Sequence, residues 1–257
     1  MFYKNIRIEY EDMISTIVID RPGRMNALDS ETRSEMISAF GEIEKDNTIR
    51  AVIITGAGTV FSAGADLSDS KEEITEDLLR SDLEESFHVI AKAIRNSRKI
   101  FISAVNGIAA GAGISIALLC DLVFASKDAR FILAFQGIGL APDTGLSYIL
   151  ARLSGGRFSK YLITGGEFSA EYASQAGILE LSDDPLSKAR EVARSIADGP
   201  FLAYSTAKSF LNYSLFGDLE EFLKIEARDQ SKLASSHDFK EGVRAFREKR
   251  KPKFRGN

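Results

Sequence analysis

The spacing of apolar positions changes repeatedly along this chain, and each change marks a boundary between elements. Asn5 to Tyr10 and Met13 to Asp20 read as strands around the polar pair Glu11-Asp12, with a loop from Arg21 to Asp29 after them. From about Ser30 to Asp46 the period becomes helical. Met36, Ile37, Phe40 and Ile43 form one stripe, and Asp29 stands where a helix cap is expected. Arg50 to Thr55 reads as a strand whose apolar continuity predicts burial on both faces, and a glycine-rich loop from Gly56 to Asp66 follows. Lys71 to Arg95 is charged and helical and carries His88; Lys99 to Val105 is a third buried strand. Strands alternating with helices predict an α/β fold with parallel pairing and helices packed outside.

The longest uncharged run, Ile100 to Cys120, has 21 residues between Lys99 and Asp121, and Gly107 with Gly111 matches the spacing of packed membrane helices. Its texture argues against a membrane span. Ile100 to Val105 is β-branched and aromatic, Asn106-Gly107 is a turn pair, and the rest is a small-residue helical pattern. The run therefore reads as a buried strand, a bend and the start of a helix. Beyond it come short strands at Asp121 to Ser126 and Arg130 to Leu133, a loop to Asp143 and a helix to Leu153. From Ser169 onward the pattern is almost wholly helical, apart from a short strand near Ile178 to Leu181. Asp184-Pro185 opens a helix reaching Ile196, and further helices are expected at about 200–214, 217–234 and 237–249.

Composition narrows the classes. Hydrophobic residues are 44% and charged residues 27%, with a mean hydropathy of -0.08 and no second long apolar run, so a water-soluble globular chain is expected. A net charge of -4 and a pI near 5.4 disfavour nucleic acid as the main partner, although Glu248 to Arg255 is locally basic. The single Cys120 excludes an internal disulfide and reads as a small buried hydrophobe, which points to a reducing cytoplasm. The first residues, MFYKNIRIEYED, become charged at once and predict no secretory signal. His88, His237 and Cys120 cannot build a typical zinc site, so no metal is expected.

Two glycine-bearing loops, Phe61 to Leu67 and Asn106 to Gly113, each follow a buried strand, where ligand crevices form in such folds. Neither fits a phosphate-binding fingerprint. A helix beginning near Gly111 aims free N–H groups outward and can hold an oxyanion, each preorganised donor being worth about 3 kcal/mol in the transition state. Glycines at such turns also serve close packing alone. Asp143 is the only charged residue between Arg130 and Arg152. Desolvation among its apolar neighbours raises a carboxyl pKa and suits proton transfer, whereas a helix N-cap role lowers it; local sequence leaves both open. Ser115 in Gly113 to Ala117 half-resembles a nucleophile elbow but lies about ten residues past the strand and reads as a buried helix serine. His88, among charged neighbours, reads as partly exposed, and as a general base if its face meets the cleft.

Taken together, FSAGADL, AVNGIAAGAGISIALLCDLVFAS, GIGLAPDTGLSYILARLSG, FSAEYASQAGILE and EGVRAFREKRKPKF resemble the crotonase (enoyl-CoA hydratase/isomerase) superfamily across nearly the whole chain. The resemblance implies a spiral of ββα units over residues 1–197 and a C-terminal helical region over 198–257 that covers the site and assembles a homotrimer or dimer of trimers. It implies acyl-CoA thioester substrates, coenzyme A arriving as part of the substrate with no separate cofactor, and no membrane. By position, the backbone N–H groups of Ala65 and Ala112 would hold the thioester oxygen. The loop carrying Arg24, Met25, Ala27 and Leu28, with Ala63, Asp66 and Leu67, would grip the adenosine end of CoA, and Phe246 and Lys249 would lie near it in the oligomer.

Family hydratases use two glutamates, and the matching positions here hold Ser115 and Phe135. Asp143 instead matches the aspartate of family isomerases, including those acting on ring-epoxyphenylacetyl-CoA. The resemblance thus implies double-bond migration with Asp143 as acid and base. Three alternatives stand beside it: a hydratase working through Asp143, an aryl-CoA dehalogenase using Asp143 with His88, and a non-catalytic RNA-binding member.

Overall fold

The computed structural model describes residues 3–67 and 74–257. The first half runs β1 (Ile6–Glu11), β2 (Ile14–Ile19), α1 (Ser30–Lys45), β3 (Ala51–Gly56), β4 (Val60–Ser62), α2 (Glu76–Asp82), a π-helical turn Leu83–Phe87, α3 (His88–Asn96), β5 (Ile100–Val105), β6 (Ile108–Ala110) and α4 (Ala112–Leu119). The second half runs β7 (Leu122–Ala125), β8 (Arg130–Leu133), α5 (Leu146–Ser154), α6 (Ser159–Thr164), β9 (Gly166–Ser169), α7 (Ala170–Gln175), β10 (Glu180–Leu181), α8 (Pro185–Asp198), α9 (Phe201–Phe216), α10 (Leu219–Leu233) and α11 (His237–Arg247). The expected helix from Lys71 to Arg95 begins at Glu76 among the described residues; its positions 71–73 lie outside them.

Six strands form one sheet in the order β1-β2-β3-β5-β7-β10, parallel except for the β1–β2 hairpin. Every residue of β2, β3 and β5 is buried, in keeping with their uncharged and largely apolar sequences. On one face α8 lays Ala189, Ala193 and Ile196 against Ile53 and Ile102, its small side chains allowing close approach. The other face carries the larger core, in which Met36 and Phe40 of α1 meet Ile90 and Ile94 of α3 and Phe101 of β5. Asp29 caps α1, its carboxylate accepting from the Thr32 amide at 2.7 Å.

A second sheet, β4-β6-β8-β9, changes the reading of the two glycine loops. Val60–Ser62 and Ile108–Ala110 are strands of three residues, parallel neighbours that run side by side into the loops beyond them. Segments so short show no period of their own, which is why they read as loop. The uncharged run from Ile100 to Cys120 is thus strand, strand and helix. Among the described residues no helix is long and apolar enough to cross a membrane.

Asn26, fully buried between the sheets, holds the first turn in place. Its side-chain oxygen accepts from the Arg21 amide at 3.0 Å, and its amide nitrogen donates to the carbonyls of Ala57 and Val60 at 2.9 and 2.6 Å. Asn26→Ala strands all three partners and keeps an alanine at φ 54°, so it is expected to cost about 3 kcal/mol, measurable as a lowered melting temperature.

Candidate active site

β4 and β6 deliver two backbone amides to one end of a cavity of about 1320 Å³, lined by Ala65 and Ala112 among others. Leu28 forms a single parallel bridge with Ala65: its amide donates to Gly64 O at 2.8 Å, and its carbonyl accepts from the Asp66 amide at 3.3 Å. That pairing uses the groups on either side of Ala65 and turns the Ala65 N–H away from Leu28. Ala112 is the first residue of α4, so its N–H has no acceptor inside the helix. Gly64, at φ +83°, makes the approach possible. A Cβ there would stand 2.6 Å from the Ala110 carbonyl and 3.2 Å from the Ala112 nitrogen.

Asp143 lines the same cavity from the loop before α5 and is 8% exposed. It does not cap that helix; Gly145, in the left-handed region at φ 75°, occupies the cap position. The Asp143 carboxylate accepts from Thr144 Oγ1 at 2.9 Å and from Gln230 Nε2 at 3.1 Å. Burial pushes Asp143 up to about 7, and the neighbouring Glu226 carboxyl adds to the rise. A carboxyl poised there can take and return a proton at neutral pH. Ser115 is fully buried one turn into α4 and donates to the Asp143 carbonyl at 3.1 Å, tying the acid's loop to the helix that begins at Ala112. It braces the site and is not a nucleophile at its surface. Phe135 takes a place on the cavity wall, against Gly111.

His88 departs from its expected place. It is 3% exposed, not a surface histidine, and it does not line the cavity. Its Nε2 lies 2.9 Å from Glu226 Oε1, and burial pushes the imidazole down to about 4. Charged neighbours in sequence disguised a residue whose own face packs inward. Burial likewise pushes the thiol of Cys120 well up, the state of an inert packed cysteine.

The remaining expected positions divide in two. Ala63, Asp66, Leu67 and Phe246 line the cavity. Arg24 and Met25 are exposed on the short helical turn Pro22–Arg24 and its end, Ala27 and Leu28 are buried beneath, and the Ala63 amide donates to Met25 O at 3.0 Å. Asp66 is held by Arg21 at 3.1 Å. Lys249 is exposed beyond α11 and does not line the cavity. Among the described residues no cluster of three or more His, Cys, Asp or Glu is placed to hold a metal ion.

Glu226 and Gln230 escaped the sequence reading, yet a signal existed. They stand four apart on α10, on the stripe that also holds Leu219, Leu223 and Ala227, so a carboxylate and an amide occupy positions that a helix of this kind fills with apolar side chains. Polar residues on a buried stripe require partners. Here the partners are the Asp143 loop and His88.

Ala65, Ala112 and the buried carboxyl of Asp143 thus line one cavity. Residues 9–257 match the family model described as enoyl-CoA hydratase/isomerase, and the chain belongs to that family. It is 35% identical to the 1,2-epoxyphenylacetyl-CoA isomerase of Escherichia coli (strain K12), over 96% of both chains. It is 36% identical to a probable enoyl-CoA hydratase of Rhodobacter capsulatus, over the full length of both. The crystal structure of an enoyl-CoA hydratase from Mycobacterium avium subsp. paratuberculosis superposes with a TM-score of 0.87 at 29% identity, covering 98% of this chain and 99% of that one. The fold is therefore the crotonase fold expected from the sequence.

Burying Asp143 has a pH signature. Its folded pKa lies above the ordinary 3.8, so stability is undiminished below about pH 4 and is lost as pH rises through 7. Asp143→Asn is expected to raise the melting temperature at pH 8, corresponding to about 2 kcal/mol or more, with the difference from the parent vanishing as pH falls toward 4.

Proposed function

We propose that the protein moves a double bond within an enoyl-CoA thioester. The single observation that carries this reading is Asp143, a buried carboxyl with its pKa near 7 on the wall of the cavity that the Ala65 and Ala112 amides also line. In this scheme the two amides donate to the thioester oxygen. Asp143, ionised, takes a proton from the saturated carbon α to the carbonyl of a 3-enoyl ester, or γ to that of a 2-enoyl ester, and the C–H electron pair flows onto that oxygen as a dienolate. The carboxyl proton, which exchanges with solvent in part while Asp143 holds it, is delivered to a different carbon as the oxygen's charge collapses back, leaving Asp143 ionised again. Coenzyme A serves as the handle of the substrate, and the scheme draws on proton transfer alone.

Ser115 and Phe135 support isomerisation over hydration. They occupy the positions where the resemblance to family hydratases puts two water-handling glutamates. Ser115 is spent on the Asp143 carbonyl, and Phe135 offers no proton. The name of the Escherichia coli relative, an isomerase of a CoA ester, favours the same direction. The dehalogenase alternative asks His88 to activate water in the cavity, but His88 lies behind Asp143 with its Nε2 against Glu226. The locally basic tail is partly committed as well, since Arg250 pairs with Glu241 at 2.5 Å, which weakens the RNA-binding reading.

Incubation of trans-2, cis-3 and trans-3 enoyl-CoAs in deuterated water, followed by mass spectrometry and proton NMR, is expected to give products of unchanged mass apart from exchanged deuterium. Gain of water as the principal change would overturn the assignment in favour of hydration. Asp143→Asn is expected to abolish deuterium exchange, and exchange at the native rate would remove Asp143 from its role. Gly64→Ala, which crowds the Ala112 amide, is expected to lower kcat by about 10²–10³-fold.

A further inference from the structure

The Asp143 loop is held from behind by one face of α10. Both carboxylate oxygens of Glu226 accept from the Gly145 amide, at 3.0 and 3.1 Å, and Oε1 also meets His88 Nε2 at 2.9 Å. One turn further on, Gln230 accepts from the Ala141 amide at 3.0 Å and donates to the Ala141 carbonyl at 2.7 Å and to the Asp143 carboxylate at 3.1 Å. Ala141, Asp143 and Gly145 are thus all tied to this helix. None of Glu226, Gln230 or His88 lines the cavity.

We propose that Glu226 is a positioning residue for Asp143, fixing the 141–145 loop through the Gly145 amide and held in turn by His88. The inference rests on Asp143 being the acid and base of the reaction. A carboxyl buried to 8% exposure on an apolar helix stripe costs stability that a leucine there would not, and among the described residues its hydrogen bonds go to the Asp143 loop and His88.

The pair also shapes the charge around Asp143. Burial pushes Glu226 up to about 8 and His88 down to about 4, opposed by the amides of Gly145 and Thr144 at Glu226 and by the Asp143 charge at His88. Lys92 and Glu84 are the other charged groups that act on His88, with opposite signs. As pH rises, Asp143 and Glu226 compete to remain protonated, since two carboxylates in one buried site repel.

The test uses two variants of the full chain. Glu226→Leu removes both holds and is expected to lower kcat by about 10–100-fold while KM changes by less than about twofold, because the CoA-binding wall is untouched. Glu226→Gln keeps an acceptor for Gly145 and a donor for neutral His88, so it is expected to recover most of that loss. It cannot ionise, so the acid limb of its kcat/KM profile is expected about one pH unit lower. Carbon-13 NMR of labelled aspartate reads the Asp143 titration directly, without substrate, and the same downward shift is expected there. Native kcat in Glu226→Leu overturns the proposal. So does an Asp143 midpoint in Glu226→Gln equal to that of the parent, a reading that stands even where the leucine variant does not fold. Because the titration needs no turnover, it also separates this proposal from the isomerase reading, which fails independently if Asp143→Asn leaves deuterium exchange unchanged.

Discussion

Everything at this site depends on how closely two backbones can approach. The parallel pairing of β4 with β6 brings the loops after them together, and the contact at Gly64 is so tight that a single methyl group would collide with the Ala110 carbonyl. Amides set in a sheet-bounded loop and at a helix start need no reorganisation when charge develops before them. The buried network of Asn26 and Ser62 serves the same end. Ser62 Oγ donates to Asn26 O at 2.8 Å and accepts from the Gly64 amide at 3.1 Å, so the polar core under the cavity fixes the donors above it.

Against that rigid half stands a half that is costly to maintain. Asp143, Glu226 and His88 are all within a tenth of full burial, and each is pushed toward its neutral form. The Glu226–His88 hydrogen bond, and those that Asp143 accepts from Thr144 and Gln230, offset part of the desolvation cost, as buried polar groups require. The Asp143 carboxyl is therefore tuned by the same burial that strains the fold. Stability and reactivity draw on one feature, and a more stable site would be a less basic one.

The main sheet was legible because its strands announce themselves. Ala51 to Ile54 and Ile100 to Val105 are apolar runs of the length a buried strand needs, and Asp29 sits before an apolar helical stripe. The second sheet was not, since β4 and β6 each have three residues and end in glycine-bearing loops. Asp143 was legible as a lone charge in an apolar stretch, but its neighbours were not. His88 lies among Glu84, Glu85 and Lys92 in sequence, although only the π-helical turn and α3 decide which of these faces inward. Glu226 gained its meaning from a contact 81 residues away, a distance over which no local pattern speaks. The motif resemblance supplied the two amides, which spacing alone left as one possible use of glycine-rich turns.

That separation has a consequence for how the molecule is made. The loops bearing Ala65 and Ala112 are complete once residue 112 has been synthesised, and the loop bearing Asp143 by residue 145. The helix that holds Asp143 arrives 81 to 87 residues later, after α1 to α9 have been translated. A chain still on the ribosome thus carries the pocket's donors and its carboxyl without the brace that sets the carboxyl in place. The segment that holds Asp143 in place is thus made late, and it never lines the cavity itself.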